Sequence, residues 1–409
     1  MISSICVVGL GYIGLPTAAV FADAGIDVLG VDIDAATVAA VNKGTPHIAE
    51  PGLDVMLRRV VETGKLRATD TPTPADVFII TVPTPFKDSH QPDLSYIEAA
   101  SQAIAPHLAK GALVLLESTS PVGTTEQMAT WLAGHRPDLS FPASHGERSD
   151  IRIAHCPERV LPGRILEEVV ENDRVIGGLT RRCSSEAAQL YRMVIRGQCH
   201  LTTARTAEMA KLTENAYRDV NIAFANELSL ICDRLDINVW EMIRLANRHP
   251  RVNILQPGPG VGGHCIAVDP WFIAASAPEE SRLIQMARQI NDAKPAWVAD
   301  QALALTAGIA EPVIACFGLS FKPNVDDLRE SPAVEVTRRL ACQGRGPILA
   351  VEPHIDALPS ELDNVELADF DQALDRSDLA VLLVDHDSFL NVPLSRLREA
   401  RVLDTRGIW

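Results

Sequence analysis

The stretch that most constrains the fold is SICVVGLGYIGLPTAAVFADAGIDVLGVDID, residues 4–34. A short β-branched run (4–8) leads into glycines at 9, 11 and 14. An apolar helical pattern then runs to Gly25, and a second β-branched run ends at Asp32. This is strand, turn, helix, strand within about thirty residues, and it commits the chain to an α/β unit.

The alternation continues with VFIITVP (77–83), a helix near 95–109, ALVLLES (112–118), a helix near 123–133, IRIAHCP (151–157) and RVIGG (174–178). Strands that alternate with helices predict a parallel sheet covered on both faces. Beyond about residue 200 the character changes. TARTAEMAKLTENAYRDVNIAFANELSLICDRL reads as one long helix, and 281–308 as another, with a break or kink at Pro295. From about 313 strands return in VIACFG, PILAVEP, LAVLLVDHD and RVLDTRGIW. The expected class is α/β, with two parallel-sheet domains joined by an all-α central domain that carries a long helix. Residues 134–150 read as an exposed polar loop.

The chain has 409 residues, enough for two or three domains, and 47% hydrophobic residues to fill them. Its net charge of −16 argues against nucleic acid as a partner but leaves room for an anionic small ligand at a local arginine cluster. The eight cysteines form no CxxC pair and no Cys/His set with zinc spacing, so no metal is expected. In a chain this long they read as reduced thiols in a cytoplasmic protein. The N-terminus lacks the basic segment of a signal peptide, and no stretch is long and apolar enough to span a bilayer. No membrane partner is expected.

Gly9, Gly11 and Gly14 form GxGxxG between a strand and a helix. The first glycine permits the turn, the second lets a pyrophosphate approach, and the third lets helix and strand pack. The helix N-terminus supplies N–H groups for the phosphates. Asp32 stands eighteen residues after Gly14, where a carboxylate accepts both ribose hydroxyls and repels a 2′-phosphate. NAD is therefore expected rather than NADP. Thr84 and Thr125, in loops that leave two further strands, are candidates for the nicotinamide side; turn or cap duty is the alternative for each.

AKLTENAYRD places Lys211, Asn215 and Arg218 on one helical face. Glu158 and Arg159 leave the strand that ends in HCP. Lys322 and Arg329 follow the first strand of the last α/β region, and Arg248, His249 and Arg251 precede GPGVGGHCIAVDP (258–270). Basic groups gathered at loop mouths suit a diphosphate. Cys265 lies just after Gly262 and Gly263, an arrangement that would leave its sulfur open to a bulky substrate. A thiolate beside a hydride acceptor suggests aldehyde chemistry through a thiohemiacetal and a thioester.

With these motifs in order, the chain resembles the UDP-glucose/GDP-mannose dehydrogenase family. GLGYIGLP, PERVLPG, KLTENAYRDVNIAFANE, GPGVGGHCIAVDP, GLSFKPNVDDLRESPA and the final DTRG carry the likeness over nearly the whole chain. The resemblance implies a Rossmann domain for NAD over 1–198, a helical dimerisation domain over 199–307 and a Rossmann-like nucleotide-sugar domain over 308–409. It implies a homodimer that oxidises the C6 alcohol of a UDP-sugar to the acid in two NAD-dependent steps, for surface polysaccharide synthesis. Cys265 would be the nucleophile and Lys211 the acid/base and oxyanion group. Asn215 and Asp269 would orient water and thiol, and Glu158 would assist proton transfer. Tyr12 and Ile13 join the glycines at the cofactor, with Arg329 from the last domain. Val268 and Pro162 depart from the UDP-glucose enzymes and resemble the branch that acts on N-acetylated sugars, with UDP-N-acetyl-D-mannosamine expected and UDP-N-acetylglucosamine or UDP-glucose as alternatives. There Arg159, Val160, Lys211, Asn215, Arg218, His249, Arg251, Gly262, Phe321 and Lys322 would contact the substrate.

Overall fold

The computed structural model describes residues 2–87, 90–161, 163–263, 265–397 and 401–409, with Leu394 and Ser395 described by backbone alone. Pro162 lies outside the described residues. The chain divides into two units, Met1–Thr213 with Trp271–Ser276, and Glu214–Pro270 with Ala277–Trp409.

The first unit is built on β1 (Ser4–Val8), β2 (Asp27–Val31), β3 (Leu66–Thr69) and β4 (Val77–Ile80). A small hairpin follows, of β5 (Phe86–Lys87) and β6 (Gln91–Pro92). Then come β7 (Leu113–Leu116), β8 (Arg152–His155), β9 (Arg174–Gly178) and β10 (Cys199–Thr203). The main sheet has the order β3-β2-β1-β4-β7-β8-β9-β10, so the chain reverses direction between β1 and β4. In open α/β sheets a ligand sits at that reversal, beyond the carboxyl ends of the strands. Strands β1, β2, β4 and β7 are buried along nearly their whole length, because apolar residues on both faces meet helices. Helix Gly14–Asp23 is buried at every residue from Gly14 to Ala22, which explains an apolar pattern that runs all the way round.

The last two strands differ from the parallel expectation. Strand β9 runs antiparallel to β8, and β10 pairs parallel with β9. Because β8 and β9 oppose each other, the segment that joins them returns at the carboxyl edge rather than crossing the sheet. The register pairs residue 154 with 178 and 155 with 177, and continuing it brings 158 opposite 174. Strand β10 lies in CHLTT, a segment that the sequence pattern leaves without strand signal, since it is polar and mostly exposed at the sheet's end. In the connection 136–150, Phe141, Pro142 and Ser149 are buried, and short helices occur at Pro142–His145 and Gly146–Arg148. The segment is therefore anchored rather than freely exposed.

The helix Ala204–Arg234 opens in the first unit and continues in the second. Helices Val239–Ala246 and Asp269–Ser276 follow, and then Arg282–Leu305, which runs through Pro295 without interruption. An interior proline costs a helix about 3 kcal/mol and orphans the carbonyl four residues earlier. Here that carbonyl belongs to Asn291, and Gly260 packs against it: a Cβ on Gly260 would stand 3.1 Å from the oxygen. Val298, Ala299 and Ala302 of the same helix join the core of the second sheet.

That sheet comprises β11 (Ile314–Phe317), β12 (Ile348–Val351), β13 (Glu366–Leu367), β14 (Leu379–Leu382) and β15 (Arg401–Asp404), in the order β13-β12-β11-β14-β15 and parallel throughout. Apolar clusters cover both of its faces.

Candidate functional site

In the first unit the glycine turn hangs from the sheet edge. Gly9 donates its N–H to Val31 O at 2.8 Å and has φ +95°, and a Cβ on it would meet Thr81 O at 2.8 Å. A Cβ on Gly14 would collide with the Gly9 carbonyl and the Thr81 hydroxyl. These two glycines are therefore demanded by the protein's own packing. Gly11 differs, because a Cβ there would meet nothing within 4 Å. That open space at a helix N-terminus fits a pyrophosphate. Asp32 accepts the Leu10 N–H at 2.8 Å on one oxygen and the Asp34 N–H at 2.9 Å on the other. It is only half-buried, so lone pairs remain for ribose hydroxyls. Ile13 is the residue before the helix, and Tyr12 is 39% exposed beside the open glycine. The donor set fits an NAD molecule with a free 2′-hydroxyl.

Thr84 donates its hydroxyl to Thr119 O at 2.5 Å, which ties together the loops after β4 and β7. Thr125 is fully buried, and its N–H and hydroxyl both donate to Glu208, at 2.8 and 2.6 Å. Gly123 N–H reaches the other Glu208 oxygen at 2.7 Å. Glu208 therefore caps the N-terminus of helix Thr124–His135 from the start of the long helix. Burial raises its proton affinity, against the hydrogen bonds from Thr125 and Gly123. No motif in the sequence pointed to it, since its partners lie more than eighty residues away.

Glu158 emerges just past β8 and is buried. One oxygen accepts the Arg159 N–H at 2.6 Å, and the other pairs with Arg174 at the start of β9. Arg159 reaches Asp173 O at 3.4 Å, and Val160 packs against Val20, Ile165 and Val169. Lys211 is half-buried on the long helix. His155 is fully buried within electrostatic reach of it; burial first, and then the Lys211 charge, push the imidazole down to about 3, so it is neutral.

In the second unit the turn from Cys265 to Asp269 is closed by Cys265 O, which accepts Val268 N–H at 3.1 Å and Asp269 N–H at 2.8 Å. The buried Asp269 carboxylate accepts the Asn215 amide at 2.5 Å. The structure thus brings Asn215, Cys265 and Asp269 into one cluster, with Cys265 half-exposed. The neighbouring glycines have a different reason from the one the sequence suggests. A Cβ on Gly262 would strike Glu330 O and Pro332, and one on Gly263, at φ +82°, would lie 2.9 Å from the Phe321 ring. They let the turn seat against residues 321–332, and Gly263 N–H donates to Arg329 O at 3.2 Å. Phe321 is brought to the cysteine turn by this packing, and Lys322 follows it in the chain. The Arg329 guanidinium is held by Asp327.

The start of the same loop is fixed by residues the sequence did not single out. Asn226 on the long helix accepts Gly258 N–H at 2.9 Å and donates to Asn291 at 2.9 Å, while Asn291 and Arg288 both donate to the buried Asp219. Arg218, His249 and Arg251 are exposed, and none of the described contacts joins them to the cysteine cluster. Glu158 and Lys211 belong to the first unit; Asn215, Cys265 and Asp269 belong to the second.

At the edge of the second sheet, Glu352, His354 and His386 lie close enough to resemble a metal site. The hydrogen bonds assign it otherwise. His386 Nδ1 accepts the Asn324 N–H at 3.0 Å, so the proton sits on Nε2, which donates to Glu352 at 3.0 Å. Glu352 also accepts Leu319 and Ser320 N–H at 2.8 and 3.0 Å. The cluster fastens the GLSFKPN loop.

Comparison with known proteins matches three family descriptions in order along the chain. The NAD binding domain of the UDP-glucose/GDP-mannose dehydrogenase family covers residues 3–195, its central domain 205–293 and its UDP binding domain 315–409. The chain belongs to this family. Its members are NAD-dependent nucleotide-sugar dehydrogenases, and the Rossmann-like architecture of both sheets agrees with that membership. Among relatives, an NDP-N-acetyl-D-galactosaminuronic acid dehydrogenase from Ralstonia nicotianae is 62% identical over 99% of this chain and 96% of its own. A UDP-N-acetyl-D-mannosamine dehydrogenase from Salmonella typhi is 58% identical over 100% and 99%. The solved structure of a UDP-D-ManNAc dehydrogenase from Pyrococcus horikoshii superposes with a TM-score of 0.89 at 40% identity, covering 99% of this chain and 96% of that one. No helix among the described residues is long and apolar enough to cross a membrane.

Proposed function

We propose that the chain oxidises the C6 alcohol of UDP-N-acetyl-D-mannosamine to the uronate, a four-electron reaction that passes through Cys265. The observation that carries this reading is the cluster in which Asp269 is bonded both to the Cys265 carbonyl and to the Asn215 amide, next to a thiol that is not buried. Bound NAD⁺ supplies the hydride acceptor for each two-electron step; Gly9, Gly11, Tyr12, Ile13, Gly14 and Asp32 would hold it, with Thr84, Thr125 and Arg329. A water that Lys211 shares with Glu158 takes the C6 hydroxyl proton, and the Lys211 charge stabilises the developing oxyanion. Glu158 serves the same proton transfer. The Cys265 thiolate adds to the C6 aldehyde to give a thiohemiacetal, which is oxidised to a thioester. Water oriented by Asn215 and Asp269 then cleaves the thioester, releasing the carboxylate and the thiol. Arg159, Val160, Arg218, His249, Arg251, Gly262, Phe321 and Lys322 complete the substrate contacts.

The three matched stretches support a division into cofactor, helical and nucleotide-sugar domains. A homodimer is supported by Tyr217, Phe224 and Ile231, which are 70, 51 and 47% exposed and recur every seven residues along the long helix. Such an apolar stripe suits a second copy of the same helix. Eight free cysteines and an NAD site suit a reducing cytoplasm. The product, an activated uronate, suits polysaccharide synthesis. The galacto-configured N-acetylhexosamine is a second reading, favoured by the relative at 62% identity. The test is an NADH assay with UDP-N-acetyl-mannosamine, -glucosamine and -galactosamine and UDP-glucose. The manno sugar is expected to give the highest kcat/KM; no NADH with any of the four would overturn the reading.

A further inference from the structure

Behind Glu158 the first unit holds a second set of buried ionisable groups. Glu117 follows β7, Cys156 and Glu158 follow β8, Arg174 opens β9, and Tyr191 ends helix Arg181–Tyr191. All five are buried. Arg174 pairs with Glu158, donates to Val169 O at 3.3 Å, and stands 5.5 Å from the centre of the Tyr191 ring. Its Nε has no hydrogen-bond partner among the described residues. The Tyr191 hydroxyl donates to Glu117, whose other oxygen lies 3.4 Å from the Thr17 hydroxyl on the helix that follows the glycine turn.

The one guanidinium pairs with Glu158, and its charge also reaches Glu117, which is bonded to the tyrosine that the guanidinium faces. The groups that face Glu117 are Thr17 from the glycine-turn helix, Cys156 and Glu158 from the end of β8, Arg174 from β9 and Tyr191 from its helix. Burial pushes the Cys156 thiol up to about 12 and raises the Tyr191 phenol, so both stay neutral and the charges in play belong to Glu117, Glu158 and Arg174. Burial raises Glu117 most, Arg174 opposes, and the Glu158 charge adds to the rise; the carboxyl titrates at about 7.

We propose that Arg174, seated by the Val169 carbonyl and the Tyr191 ring, is a positioning residue for Glu158, and that Glu117, tied to the same tyrosine, governs how much of the guanidinium's charge Glu158 receives. With Glu117 protonated, Arg174 serves Glu158 alone. With Glu117 ionised, the two carboxylates compete for the one guanidinium charge. The antiparallel return from β8 to β9 makes this possible, because it brings the start of β9 back to the end of β8, where Arg174 pairs with Glu158. The inference rests on the reading of Glu158 as a proton-transfer group.

The test measures kcat, both KM values and the pH dependence of kcat for Glu117→Gln, Arg174→Lys and Glu158→Gln. Arg174→Lys is expected to lower kcat about tenfold or more, the scale of a lost buried charge-assisted hydrogen bond, with both KM values little changed. Glu117→Gln, nearly isosteric, is expected to remove an ionisation near neutrality from the kcat profile. If Glu158→Gln is slow while the other two match the wild type in kcat and profile, this inference alone is overturned. If Glu158→Gln turns over at the wild-type rate, the reading of Glu158 falls and the inference falls with it.

Discussion

The two Rossmann-like sheets begin with the same local construction and finish it differently. Gly9 and Gly318 both leave the first strand of their sheet with positive φ, +95° and +90°. Each donates its N–H at 2.8 Å to the last residue of the neighbouring strand, Val31 or Val351. The leucine that follows donates at 2.8 Å to an acidic residue just past that strand, Leu10 to Asp32 and Leu319 to Glu352. GLGYIG and GLSFKP are thus two versions of one turn. In the first, Gly11 is bare and Asp32 is half-exposed, so the turn is open to a ligand. In the second, serine replaces that glycine, Pro323 ends the run, and Glu352 is consumed by Ser320, His354 and His386. The same backbone geometry serves recognition when its acid keeps free lone pairs, and serves loop anchoring when the protein uses them up.

The sharpest way to break this comparison is Gly14→Val. The side chain would overlap the Gly9 carbonyl, so the turn must open, at a cost of about 3 kcal/mol or more, and NADH formation should be lost. A variant that turns over normally would remove the packing argument for that glycine. Next in size, Glu352→Ala orphans buried donors from Leu319, Ser320 and His386 and should destabilise the second sheet by about 2–4 kcal/mol in chemical denaturation. Asp32→Ala should cost about 1 kcal/mol or less in stability while raising the KM for NAD⁺ at least about tenfold. Equal destabilisation by the two would erase the open-versus-closed distinction.

A pH experiment sharpens it. Burial pushes Glu352 up, but hydrogen bonds from His386 and from Leu319 and Ser320 outweigh it, and the carboxyl titrates below its usual range. A depressed folded value contributes stability above the unfolded one, about 4.5, and loses it as pH falls through the folded value. The gap in melting temperature between wild type and Glu352→Gln should therefore be widest near about pH 7 and narrow below about pH 4. A gap that grows in acid would reverse the sign. The smallest effect belongs to Gly11→Ala, which should leave stability within about 0.5 kcal/mol and act only on the dinucleotide KM.

What could be read in the sequence follows how local each signal is. The glycine turn, Asp32 and the long helix are written in adjacent residues with a period, and the structure places them accordingly. Strand β10 was not legible, because CHLTT is a polar edge strand with no alternation. The reversal of β9 was hidden because periodicity carries no strand direction. Glu208, Asn226 and Arg174 were invisible for another reason: a buried polar residue looks like a surface one until its partner, sixteen to eighty-five residues away, is known. Gly262 and Gly263 were read from the sequence as access to the sulfur; that both positions are also hemmed in by Phe321, Glu330 and Pro332 is something only the fold reveals.

The central claim is that the second oxidation proceeds on the sulfur of Cys265, and counting NADH per UDP-sugar in the wild type and in Cys265→Ala tests it most directly. The wild type is expected to release two NADH for each sugar consumed, and the variant at most one, with no uronate formed. Uronate and two NADH from the cysteine-free enzyme would contradict the account.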